Sequence, residues 1–159
     1  MTRIIYYILL FFIIAFIQTV LPAIIIFQSP VTFDLLLIFL TVIALQLPTF
    51  SATILGFFIG LLQDITTQHY LLGSFSFMKS ISGYAISWLT RFDKIWNRGL
   101  RYLFILGCYV LHYSIYYYIR FAGVHGEFFN GSILVSIHAL LNLFLLWFID
   151  RFIFSNKLV

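Results

Sequence analysis

Phe50-Ser51-Ala52-Thr53-Ile54-Leu55-Gly56-Phe57-Phe58-Ile59-Gly60-Leu61-Leu62-Gln63-Asp64 carries no charge until its last residue, and small residues stand at every fourth position: Ala52, Gly56 and Gly60, with Asp64 closing the row. A spacing of four keeps one face of an α-helix, so this segment has a smooth stripe along one side and bulky Phe, Ile and Leu on the others. In water such a helix has no solvent-facing side. In lipid, where apolar burial cannot drive helices together, a small-xxx-small stripe lets a second backbone come close, and close packing supplies the association. The stripe is compatible with packing within the chain, between copies or against a partner. The reading is therefore a membrane helix with one contact face.

The rest of the chain fits that solvent. Of 159 residues, 63% are hydrophobic, 21% aromatic and 9% charged, against roughly 25% charged in a soluble domain. Six apolar segments, 4–27, 33–47, 50–65, 70–89, 100–122 and 131–154, are separated by Pro, Gly, Ser or charged breaks. Several approach the roughly 20 residues that cross about 30 Å of hydrocarbon. Strict apolar/polar alternation, the mark of a barrel, is missing, so the spans must be helices that satisfy their own backbones. The expected fold is an all-α integral membrane protein, one transmembrane domain over 1–159, in a compact bundle of about six helices. The first apolar run is long for a signal peptide and lacks a small-residue cleavage site, so it is read as a retained helix. Pro48 and Ser51 mark a tight hairpin between the second and third spans.

Charge sets the orientation. Arg91, Lys94, Arg98 and Arg101 cluster between the fourth and fifth spans, with Trp88, Trp96 and Tyr102 alongside, as expected for a cytoplasmic loop meeting lipid headgroups. Arg3, Arg151 and Lys157 fall on the same side when both termini are cytoplasmic. The net charge of +4 is thereby a topology signal and not a nucleic-acid stripe.

The polar residues inside the spans are few. Lys79 lies in the fourth span beside Ser76, Ser80, Gly83 and Ser87, and Asp64 is its expected partner in an intramembrane network, because an unpaired charge in hydrocarbon is costly. Asp34 opens the second span as a helix cap. Gly73 is grouped with the helix-packing residues. His112, Tyr116 and Arg120 recur every four residues on the fifth span, and His138 and Asn142 do so on the sixth, offering inward-facing hydrogen bonds. Cys108 is the lone cysteine and has no disulfide partner. His138-Ala-Leu-Leu-Asn142 is similar to one motif of intramembrane CAAX-type proteases, but those need a paired-glutamate helix and the one glutamate here is Glu127. Gly-x-Ser-x-Gly, His-Glu-x-x-His and Walker motifs are missing. No enzyme, cofactor or metal is expected.

Asp34-Leu-Leu-Leu, then Pro48, then Gly56-Phe-Phe-Ile-Gly60-Leu-Leu-Gln-Asp64, and finally Leu72-Gly73-Ser-Phe-Ser-Phe with Gly83-Tyr84 resemble in order and spacing the MreD family of bacterial rod shape-determining membrane proteins. The likeness covers residues 30–90 in motif and the whole chain in length. It departs from the family pattern at Phe33, where a proline usually precedes the aspartate, and Lys79 has no clear counterpart. The resemblance implies a non-enzymatic scaffold subunit of the cell-elongation and peptidoglycan-synthesis machinery, multi-pass in the bacterial cytoplasmic membrane. It implies MreC as partner, with MreB, RodA and PBP2 in the same complex, and a bundle similar to the substrate-binding subunits of energy-coupling-factor vitamin transporters. Such a transporter subunit is the alternative function.

Overall fold

A computed structural model describes residues 2–22, 24–26, 29–67, 72–92, 95–120 and 128–154. Lys94, Glu127 and Lys157 lie outside the described residues. The described residues form six α-helices, α1 (Thr2–Val20), α2 (Leu35–Ala44), α3 (Thr49–Thr67), α4 (Ser74–Trp88), α5 (Arg98–Arg120) and α6 (Phe128–Phe152), with a 3-10 turn at Leu89–Phe92. Three of them, over Thr49–Thr67, Arg98–Arg120 and Gly131–Phe152, are long and apolar enough to cross a membrane.

The first apolar run departs from the expected continuous helix. Helix α1 ends at Val20, and β1 (Ile24–Ile26) and β2 (Ser29–Val31) follow as an antiparallel pair, with Ile24 opposite Val31 and Ile26 opposite Ser29. Pro22 explains the stop: it cannot donate to a helix and disfavours helical backbone at Leu21. The β-branched run Ile24-Ile25-Ile26 then suits an extended conformation.

The second segment also differs. Helix α2 has ten residues, so it rises only about 15 Å, half the hydrocarbon thickness. It is apolar all round and sits at the centre of the bundle: Leu36, Leu37, Ile38, Phe39, Leu40, Thr41 and Ala44 are all buried, as befits a helix with neighbours on every side. Helix α1 covers it through the Phe11–Phe39 ring contact, and Tyr109 of α5 reaches Thr41 at 2.9 Å.

Helices α3 and α4 form the closest pair, antiparallel, and the small-residue stripe is what brings them together. A Cβ on Gly56 would fall on the Lys79 carbonyl, one on Gly60 on the Phe75 carbonyl and Ser76 Cα, and one on Gly83 on the Ala52 carbonyl. Ala52 itself is fully buried. The glycine face is thus occupied inside the chain. Gly73 has another job: it holds a left-handed backbone with φ +98° just before α4, and a Cβ there would meet nothing within 4 Å. It sets the entry of α4 and does not pack against a neighbour.

Candidate functional site: a buried ion pair at the start of a half-length helix

Because α2 begins halfway through the bundle, its N-terminal amides and the irregular backbone before it sit where lipid offers no hydrogen bonds. Such backbone persists only where protein groups satisfy it. Gln18 of α1 accepts from the Leu35 amide at 2.7 Å and donates to the Phe33 carbonyl at 3.0 Å. His138 Nε2 of α6 accepts from the Thr32 amide at 3.1 Å, and Asn142 Oδ1 accepts from the Asp34 amide at 2.9 Å. Asp34 caps the helix itself, its Oδ1 accepting from the Leu37 amide at 2.9 Å. Three side chains from α1 and α6, with the carboxylate of Asp34 itself, thereby replace the turns that a full-length helix would have made.

The same Asp34 is the partner of Lys79. The Lys79 ammonium donates to both carboxylate oxygens, at 2.8 and 2.7 Å, and the two side chains are 0% and 7% exposed. The expected Asp64–Lys79 pair is therefore corrected. Asp64 lies opposite the first turn of α4 and accepts from the Phe75 and Ser76 amides at 2.9 and 3.0 Å and from the Ser76 hydroxyl at 2.8 Å. The amides of a helix N-terminus and its dipole hold a carboxylate well, so Asp64 needs no cation. Lys79, one and a half turns further along α4, is level with Gly56, beyond Asp64's reach. A short α2 is what lowers Asp34 to that level.

Counted from the end of the molecule that carries Arg91, Arg98 and Arg101, Asp34 stands ten residues along α2, Lys79 nine residues above Trp88 and Asn142 ten above Phe152. Each is therefore about 15 Å of helix from that end, half the roughly 30 Å of a bilayer's hydrocarbon. Around the pair the polar groups form a chain: Asn142 Nδ2 donates to the Tyr113 hydroxyl at 2.7 Å, His138 Nδ1 is 2.8 Å from the Tyr117 hydroxyl, and Tyr113 stacks on His138 with ring centroids 4.7 Å apart. His112 Nδ1 lies 3.1 Å from the Ser82 hydroxyl, while its buried Nε2 has no hydrogen-bond partner among the described residues. Tyr116 and Arg120 form a separate pair at 2.8 Å nearer the surface.

No family model, curated protein or solved structure matches the chain. The reading of the site rests on its own residues. Among the described residues no group of three His, Cys, Asp or Glu side chains could hold a metal. Of the polar residues singled out in the sequence, Asp34, Lys79, His112, His138 and Asn142 converge on the start of α2, Asp64 stands apart at the start of α4, and Arg91, Arg98 and Arg101 lie at the far end. Gln18, Thr41, Tyr109 and Tyr113 were missed. Gln18 had a signal: it is an amide in a largely apolar run, one turn before Pro22's break.

Proposed function

We propose that the chain is a non-enzymatic scaffold subunit of the bacterial cell-elongation machinery, of the MreD kind, with its six helices in the cytoplasmic membrane and both termini in the cytoplasm. The observation that carries this reading is where the motif residues fall. Asp34, Gly56, Gly60, Asp64 and Gly83 each make a contact that joins two of the helices α2, α3 and α4, while Pro48 and Gly73 set the ends of those helices. The resemblance to MreD proteins is thus built from residues with structural tasks in one three-helix unit, as a shared fold requires. Asp34, Lys79, His138 and Asn142 are spent on the broken backbone and on each other, and exposed aromatic and aliphatic side chains cover the outer faces of α1, α5 and α6. Those faces suit lipid and partner helices.

A second reading, the substrate-binding subunit of a vitamin transporter, is favoured by the half-length helix and the mid-depth ion pair, both of which mark binding sites in transporters. Purification of the tagged chain from a rod-shaped bacterium in mild detergent separates the two. Co-purification of the single-span protein MreC, with rounded cells when the chain is depleted, is the expected result. Capture of an ATPase module or a small vitamin instead of MreC would move the chain to the transporter class.

A further inference from the structure

Between α4 and α5 a groove of about 530 Å³ runs along the outer surface, lined by Trp96, Leu100, Leu103, Phe104, Gly107 and Leu111 among others. Gly107 is exposed and a Cβ there would meet nothing within 4 Å, so the glycine widens the groove without serving any contact inside the chain. From Leu100 to Leu111 the groove is eleven residues long, about 16 Å of helix, which is one leaflet and not a whole bilayer. It ends where α4 and α5 close on each other: Ser82 meets His112 at 3.1 Å, and one turn further Phe75 stacks on Tyr116 with centroids 5.5 Å apart. A spanning helix from a partner would have to leave such a groove at mid-depth, whereas a lipid acyl chain ends there.

The other end is basic. Arg101 stands seven residues, two turns, before the groove residue Cys108 and so on the same face of α5. Arg98 and Arg91 are exposed at the same level, and Trp96 lies at the mouth. An apolar slot one leaflet deep with cations at its entrance has the polarity of one ligand, a lipid with an anionic headgroup. We infer that the groove between α4 and α5 is a binding site for an anionic phospholipid of the leaflet on the basic side, with an acyl chain beside Gly107 and the headgroup phosphate against Arg98 and Arg101. This site is independent of which protein partner the chain serves.

Trp96 reports on it directly. In a Trp88→Phe, Trp147→Phe background, where Trp96 is the one remaining tryptophan, the protein is placed in phosphatidylcholine vesicles holding a few mole per cent of phosphatidylglycerol or phosphatidylcholine brominated on its chains. Brominated phosphatidylglycerol should quench Trp96 beyond its bulk fraction, the local enrichment being roughly fivefold per engaged arginine. Gly107→Leu puts a side chain into the slot from a position where its Cβ meets nothing within 4 Å, and should remove the excess quenching. Arg98→Gln with Arg101→Gln should leave the two lipids equally effective. Equal quenching by both lipids in the parent protein would mean ordinary annular contact and would overturn the site. Protection of Trp96 from both lipids would mean that protein, such as a second copy of the chain, fills the groove, and would overturn it as well.

Discussion

Lys79 and Asp34 show how one residue's cost is set by its partner. A buried ion pair is held together by strong attraction, but removing one member leaves the other charged and unsolvated, a loss of about 3–5 kcal/mol. Lys79→Met and Asp34→Asn should each destabilise the fold by an amount of that order, read as a lower melting temperature in detergent. The double variant should be less damaged than the sum, because the orphaned charge is gone. The Asp64→Asn, Lys79→Met combination should come much closer to additivity, since Asp64 answers to the amides of α4. Coupling in the Asp64 cycle as large as in the Asp34 cycle would contradict the pairing. Lys79 was legible in the sequence as a charge that needs a carboxylate, and both candidates were visible. What could not be read was depth: the apolar run from Phe33 to Leu47 looks like one continuous span, which places Asp34 at the surface. The groups that let the helix start late, His138 and Asn142, lie more than 100 residues away in sequence.

Helices meet here through what they lack. The α3–α4 contact depends on the missing side chains at Gly56, Gly60 and Gly83, each of which touches backbone that cannot yield. Gly60→Ala should therefore cost at least the 1–3 kcal/mol typical of overpacking, and Gly56→Leu should abolish the folded monomer. Gly107→Ala, open on its side, should be neutral or stabilising by up to about 1 kcal/mol through helix propensity alone. Gly73→Ala should be destabilising by roughly 1 kcal/mol for a different reason, the left-handed backbone. Thermal melts of the four variants in one detergent would order them, and a harmless Gly60→Ala would refute the packing. The stripe's spacing revealed this contact face directly, because a four-residue period has one geometric meaning on a helix. The hairpin of β1 and β2 was harder to see. Pro22 was in plain view, but hydrophobicity summed over a window does not register where the backbone changes course.

On the scale of the whole molecule, the arrangement separates two ends with different chemistry. Arg91, Arg98, Arg101 and Arg151 lie at the end that holds the starts of α3 and α5 and the C-terminal end of α6, and Arg120 stands at the other end with the starts of α4 and α6. Basic residues near span ends are retained on the cytoplasmic side, so the basic end should face the cytoplasm and Leu72, just ahead of α4, should face out. Exposed single cysteines test this: with Cys108→Ala removing the native thiol, Leu72→Cys and Ile95→Cys carry the probe on opposite ends, at sites 67% and 75% exposed. A membrane-impermeant maleimide added to intact spheroplasts should label Leu72→Cys at once and Ile95→Cys only after the membrane is opened. The inverted pattern would turn the molecule over, and with it the leaflet that supplies the lipid beside Gly107. Labelling of both positions from one side would mean that α4 does not cross. Its fifteen residues, about 22 Å of helix, would then lie with α2 inside the bundle, leaving α3, α5 and α6 to span the bilayer.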